Sequence, residues 1–318
     1  MCQKEWYLHY ILQIVNTVEI INLNIMKYKT LLTLINFAKD YEKHADYAAR
    51  LACDLNLKLI LLHVYNSGVY PFGSASSING GGLLYAQSNI LIHKKSADKK
   101  LKELAVRLNR SFPDLLIDTI ISEDFELSAV KDLIENDEAD MLLTANNQYN
   151  SMFSVNADSY ELIHEIDCPI WIIPENHNYN PLKQIVYATD YKSEDIKTIT
   201  DLVELTGSFN PHISALHITD DPGFESKIKK EGFRDILVEK TAYKNLEVIN
   251  ALTSNSGNIG ELLDEYASKN KVDLIVALRE NRNFLDRLFK VSTTKKLVTK
   301  SHIPILIYHE VKVREKVQ

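Results

Sequence analysis

The chain has 318 residues, 45% of them hydrophobic and 25% charged, with a net charge of −7 at pH 7. That balance belongs to a globular chain long enough for two cores of ordinary size. It argues against a dedicated nucleic-acid binder: Lys94-Lys95 with Lys99-Lys100-Lys102, and Lys227-Lys229-Lys230, are interrupted or offset by acids and read as solvated helix faces.

Along the chain, residues 1–25 are apolar in part, but Glu5, Gln13, Asn16 and Glu19 interrupt the run. No membrane span is expected there, and no signal peptide. Met26 is read as the natural start, with 1–25 an extension; docking of an amphipathic extension on a partner is the alternative. Cys2, Cys53 and Cys168 are scattered and odd in number, so neither a disulfide framework nor a metal site is expected, and the compartment is expected to be reducing.

From Tyr28 onward, short apolar runs alternate with helical periodicity. Strands are expected at Tyr28 to Ile35, Leu57 to Val64, Leu115 to Ile121, Met141 to Thr144 and Pro169 to Ile173, with a long second helix over Ala86 to Arg110. A second series follows: strands at Gln184 to Thr189, His212 to Ile218, Leu246 to Leu252, Asp273 to Leu278 and Pro304 to Tyr308. Its helices fall at Ser193 to Leu205, Glu225 to Glu239, Gly260 to Ser268 and from about Ser292. Strands this apolar between helices are those of a mainly parallel sheet covered on both faces.

The two series are copies of one unit. Asn36 and Asp190 are 154 residues apart, as are His63 and His217, so the first two strands and the helix between them have equal lengths in both. Ala139-Asp140-Met141-Leu142-Leu143 matches Val272-Asp273-Leu274-Ile275-Val276, and Cys168-Pro169-Ile170 matches Ile303-Pro304-Ile305, at shorter offsets of 133 and 135. The first copy therefore carries extra residues around Ser67 to Arg110. The expected organisation is an extension at 1–25, a first domain at 26–176, a second at 181–310 and a charged tail at 311–318. Each domain is a doubly wound α/β unit with a five-stranded, mainly parallel sheet.

The order of these elements, with Thr189-Asp190-Tyr191 ending a first strand, Leu62-His63-Val64 in a second, Ala-Asp or Val-Asp opening a fourth and Cys-Pro-Ile or Ile-Pro-Ile a fifth, resembles the universal stress protein family in its tandem form. The resemblance covers nearly everything from Met26 to Glu310. It implies a ligand edge beyond the carboxyl ends of the strands, a cytoplasmic location and a role in stress response. It also implies that the two fifth strands meet across a pseudo-twofold axis, as in a family homodimer, with association of two chains a further expectation.

Members that bind ATP carry a Gly-x2-Gly-x9-Gly-Ser/Thr loop after the fourth strand and an acid at the end of the first. Glycines there let backbone N–H groups reach phosphate oxygens with no Cβ in the way. The second copy has Leu278, Asn281 and Val291 at the glycine positions, followed by Ser292; the first has Ala145, Gln148, Asn156 and Ala157, with Asn36 in place of the acid. What survives for nucleotide binding is Asp190, Asn281, Ser292 and Thr293 in the second domain, with Thr294 as a further helix-capping contact and charge from Arg279, Arg282 and Lys290. The competing reading is structural: Asp190 caps backbone donors before a helix and Ser292 is an N-cap.

His63 and His217, at equivalent strand ends, read as buried and hydrogen-bonded. Gly80-Gly81-Gly82 fits neither a P-loop nor a dinucleotide fingerprint and reads as part of a loop over the first domain's ligand edge, with Tyr65, Tyr70, Phe72 and Tyr85 anchoring or lidding it. Cys53 and Cys168 read as packing residues. The expectation is a non-enzymatic protein without metal, membrane or nucleic-acid partners, acting through protein contacts; a nucleotide sensor or slow ATPase using the second domain is the alternative. A small ligand under the Ser67 to Leu84 loop is a third.

Overall fold

The computed structural model describes residues 27–37, 40–65, 81–145, 159–174, 177–221, 223–252, 259–279 and 303–309, with backbone alone at 81–90, 159–160 and 259–261. The first half runs β1 (Thr30–Leu34), α1 (Tyr41–Asp54), β2 (Lys58–Tyr65), α2 (Gly81–Ser111), β3 (Ile117–Glu123), α3 (Glu126–Glu135), β4 (Met141–Ala145), α4 (Ser159–Glu165) and β5 (Ile170–Ile173). The second half runs β6 (Gln184–Ala188), α5 (Ser193–Thr206), β7 (His212–Thr219), α6 (Phe224–Thr241), β8 (Leu246–Leu252), α7 (Ile259–Lys269), β9 (Leu274–Leu278) and β10 (Ile305–Tyr308). The long helix α2 starts at Gly81 rather than Ala86, so Gly81 and Gly82 belong to its first turn and not to a loop. The last helix expected from Ser292 lies outside the described residues.

All ten strands form one sheet in the order β3-β2-β1-β4-β5-β10-β9-β6-β7-β8. Within each half neighbours are parallel; the halves join where β5 and β10 pair antiparallel, Trp171 opposite Leu306. Every residue of both seam strands is buried. Each such apolar side chain contributes roughly 1.5–3 kcal/mol relative to exposure.

Alternation along each strand divides the core into two layers. Leu31, Leu59, Leu143, Trp171, Tyr187 and Leu306 point to one face, under α1, α2, α5 and α6. Leu32, Ile60, Leu142, Ile170, Val186 and Ile307 point to the other, under α3, α4 and α7. Both layers run through both halves, which is why the strands read as continuous apolar runs rather than half-polar ones.

The duplication extends to backbone detail. Asp140 accepts the N–H groups of Lys29 and Thr30 at 2.8 and 2.9 Å, and Asp273 accepts those of Lys183 and Gln184 at the same two distances. The aspartate opening each fourth strand thus ties it to the start of the first. Asn56 and Asn210 both take left-handed backbone after a helix, with φ of 54° and 47°, a conformation Asn tolerates better than most residues.

Candidate functional site

Strand order reverses between β1 and β4, and again between β6 and β9, and the carboxyl ends of such a pair are where an open α/β sheet places its ligand crevice. In the second half the rim is built by Thr189, Asp190 and Tyr191 after β6, His217 on β7 and Arg279 after β9.

His217 donates from Nδ1 to the Thr189 carbonyl at 2.8 Å, and its ring lies 4.5 Å from that of Tyr191. His63 does the same in the first half, donating to the Ile35 carbonyl at 2.6 Å with its ring 4.8 Å from Phe37. Because a carbonyl only accepts, Nδ1 carries the proton in both. Burial lowers the His63 pKa, and nearby Lys100 lowers it further. Phe37 and Tyr191 share left-handed φ values of 53° and 60°. Each histidine stitches the end of a first strand to its neighbour; the hydrogen bond is the expected one, but both rings are half-buried rather than buried.

Under the second rim the polar centre is Asp195, which sequence reasoning passed over in favour of Asp190. The fully buried Asp195 accepts from Tyr187 Oη and Thr189 Oγ1 at 2.8 Å and from the backbone N–H groups of Asp190 and Lys192 at 3.1 Å. Burial pushes its carboxyl pKa upward, and these donors pull the other way. The signal was available: an acid at the third position of a helix starting at Ser193 is half of a capping box. Asp190 itself is left one-third exposed on the rim, 3.9 Å from His217 Nδ1.

Leu278 and Arg279 depart from the expected pocket. Leu278, at the first glycine position, is the last residue of β9 and lies 1% exposed in the core beneath α5 and α6. Arg279 was expected to supply charge for an anion, yet it faces the seam between the halves. Its Nη1 lies 2.9 Å from His309 Nδ1 and 3.5 Å from Asp167, and its Nη2 donates to the His164 carbonyl. His309, nine-tenths buried, has its pKa lowered to about 3 by burial, Arg279 and His164.

Asn281, Ser292 and Thr293 lie outside the described residues, as do Val291, Thr294, Arg282 and Lys290, and in the first half Gln148, Asn156 and Ala157. Ala145 ends β4, and Asn36 lies just past β1. The loop at Ser67 to Gly80, with Tyr70 and Phe72, and the side chain of Tyr85 also lie outside; Tyr65 is buried and donates to Glu123 at 3.0 Å. Cys168 is buried as expected, but Cys53 is exposed rather than packed. Among the described residues no group of His, Cys, Asp or Glu is placed to hold a metal, and no helix is long and apolar enough to cross a membrane.

Residues 181–309 match the family model described as the universal stress protein family. The second half of this chain is a universal stress protein domain. A solved universal stress protein from Archaeoglobus fulgidus, 12% identical, superposes with a TM-score of 0.56 over 88% of this chain and 96% of its own. The universal stress protein fold therefore extends over both halves. The cytoplasmic domain of a prokaryotic cation chloride cotransporter, 10% identical, superposes at 0.52 over 88% of this chain and 95% of its own. A universal stress protein solved in complex with cAMP is 14% identical and covers 41% of this chain and 98% of its own, at a TM-score of 0.33. No curated protein matches the chain.

Proposed function

We propose that the chain is a non-catalytic universal stress protein of tandem form that acts in a reducing, cytoplasmic setting through protein contacts, its nucleotide crevices degenerate. The observation that carries this reading is the use made of the residues opening the loop after β9: Leu278 fills the core and Arg279 clasps the other half, so neither serves a phosphate. A cradle needs backbone N–H groups clear of side chains and an uncommitted cation nearby.

The second reading, a nucleotide sensor confined to the second half, rests on Asp190, the one-third exposed carboxylate at the end of β6. Asn281, Ser292 and Thr293 would complete that pocket and ATP would be its ligand. Thermal denaturation with and without magnesium ATP separates the two. The proposed function predicts no shift in melting temperature and no phosphate release above a boiled control. A shift abolished by Asp190→Ala establishes the sensor instead.

A further inference from the structure

Helix α2 is longer than the sheet it covers. It runs from Gly81 to Ser111, yet of the side chains described along it the buried ones are Leu101, Leu104, Ala105 and Leu108, all in its carboxyl-terminal half. Lys100 Nζ stands 5.6 Å over the ring of Phe37, just past the end of β1, which sets the carboxyl edge of the first half's sheet near this level of the helix. At a rise of 1.5 Å per residue the helix continues for roughly 28 Å beyond that edge to reach Gly81. Its counterpart α6 has no such arm: it starts at Phe224 and is already buried at Ser226.

The arm sorts its residues along its axis. The outer part, residues 81–92, includes no Asp, Glu, Lys, Arg or His, in a chain that is 25% charged. His93, Lys94 and Lys95 follow, and the first acid of the helix is Asp98. Residues 91–96 are all exposed, Leu91 by 56% and Ile92 by 62%. Among the described residues neither Lys94 nor Lys95 pairs with an acid, whereas Lys99 and Lys102, nearer the body, pair with Glu103 and Asp98. A protein groove takes a helix by apolar anchors along one side. Here an uncharged tip and a basic collar succeed one another along the axis, which is the layering of an anionic lipid surface, acyl chains within and charged headgroups outside.

We propose that the arm of α2 binds an anionic lipid surface, with Leu91 and Ile92 entering the interface and Lys94 and Lys95 meeting the headgroups. The net charge of −7 would repel the body from such a surface. Salt screens that repulsion beyond about 8 Å, and the tip reaches farther out than this. The contact is peripheral and needs no spanning helix; it departs from the expectation of a chain without membrane partners. It does not depend on whether either crevice takes a nucleotide.

Flotation of the full chain with lipid vesicles tests it. The chain should float with vesicles of phosphatidylcholine carrying ~30% phosphatidylglycerol and stay behind with phosphatidylcholine alone. Raising sodium chloride from ~50 to ~500 mM should release it. Lys94→Glu with Lys95→Glu, or Leu91→Asp with Ile92→Asp, should each weaken binding by about tenfold or more. Lys227→Glu with Lys229→Glu, the same change of charge on α6, should leave binding nearly unchanged. Circular dichroism checks that these exposed substitutions keep the fold, and the lipid and salt series on the unmodified chain stand whatever the variants do. Failure to float with either vesicle overturns the proposal, even where Leu91→Asp with Ile92→Asp releases a copurifying protein. Equal loss from the α2 and α6 lysine pairs also overturns it.

Discussion

Each half ends its first strand under a histidine packed at a tilt against an aromatic ring, yet beneath that shared rim the two are wired differently. In the second half Tyr187 and Thr189 converge on Asp195. In the first, Thr33 stands where Tyr187 does and meets His44 Nε2 at 2.7 Å, while donating to the Leu143 carbonyl at 3.1 Å. His44 in turn stands where the second half has Thr198. The duplicated backbone fixes where a polar centre under the crevice can sit, and leaves open which chemistry fills it: a hydrogen-bonded carboxylate in one half, a neutral imidazole in the other.

The largest break in this comparison should come from Asp195→Ala. It strands two hydroxyls and two backbone N–H groups in a buried site, at a cost of ~3 kcal/mol, read as a lower urea midpoint. Asp195→Asn should cost less, because its carbonyl oxygen still accepts.

The imidazole makes the first half sensitive to acid. Burial holds His44 at about 4, below its ordinary 6.5. Protonation is therefore easier in the unfolded chain. The stability this histidine contributes is complete above pH 6.5 and is lost as pH falls from 6.5 toward about 4. At pH 5 the loss amounts to ~2 kcal/mol. His44→Thr, which copies the second half, should flatten stability across that window; an unchanged slope would mean that the burial of His44 is not felt. His309, held low at the seam, pulls in the same direction and should leave a residual slope in that variant.

Asp140 and Asp273 sharpen the comparison from the other side, because here the halves are alike. Asp140→Ala and Asp273→Ala should each cost ~1.5 kcal/mol, and by similar amounts, since each removes one acceptor from two backbone donors. Losses differing by more than about twofold would show that the repeat is geometric without being energetic.

Much of this fold was legible because its signals are local. Apolar runs of strand length, helical periodicity and a 154-residue offset are enough to place the strands and α5, α6 and α7 of the second half. The start of α2 was not legible, because Gly81 and Gly82 signal a loop by propensity and the helix runs through them. At the candidate site, the roles of His63 and His217 followed from their positions at strand ends. Arg279 was misread because its partners His164 and Asp167 lie more than a hundred residues away and meet it only once β5 and β10 pair. Asp190 was preferred to Asp195 because the family pattern marks the end of the first strand, whereas the buried partner of Tyr187 is set by tertiary packing.

The most direct test of the account is isothermal titration of the full chain with magnesium ATP, with mass spectrometry for any nucleotide that copurifies. The account predicts no binding heat and no bound nucleotide, because Leu278 and Arg279 are committed to the core and the seam. Micromolar binding at one site per chain, lost in Asp190→Ala, would contradict it and place the function in the second crevice.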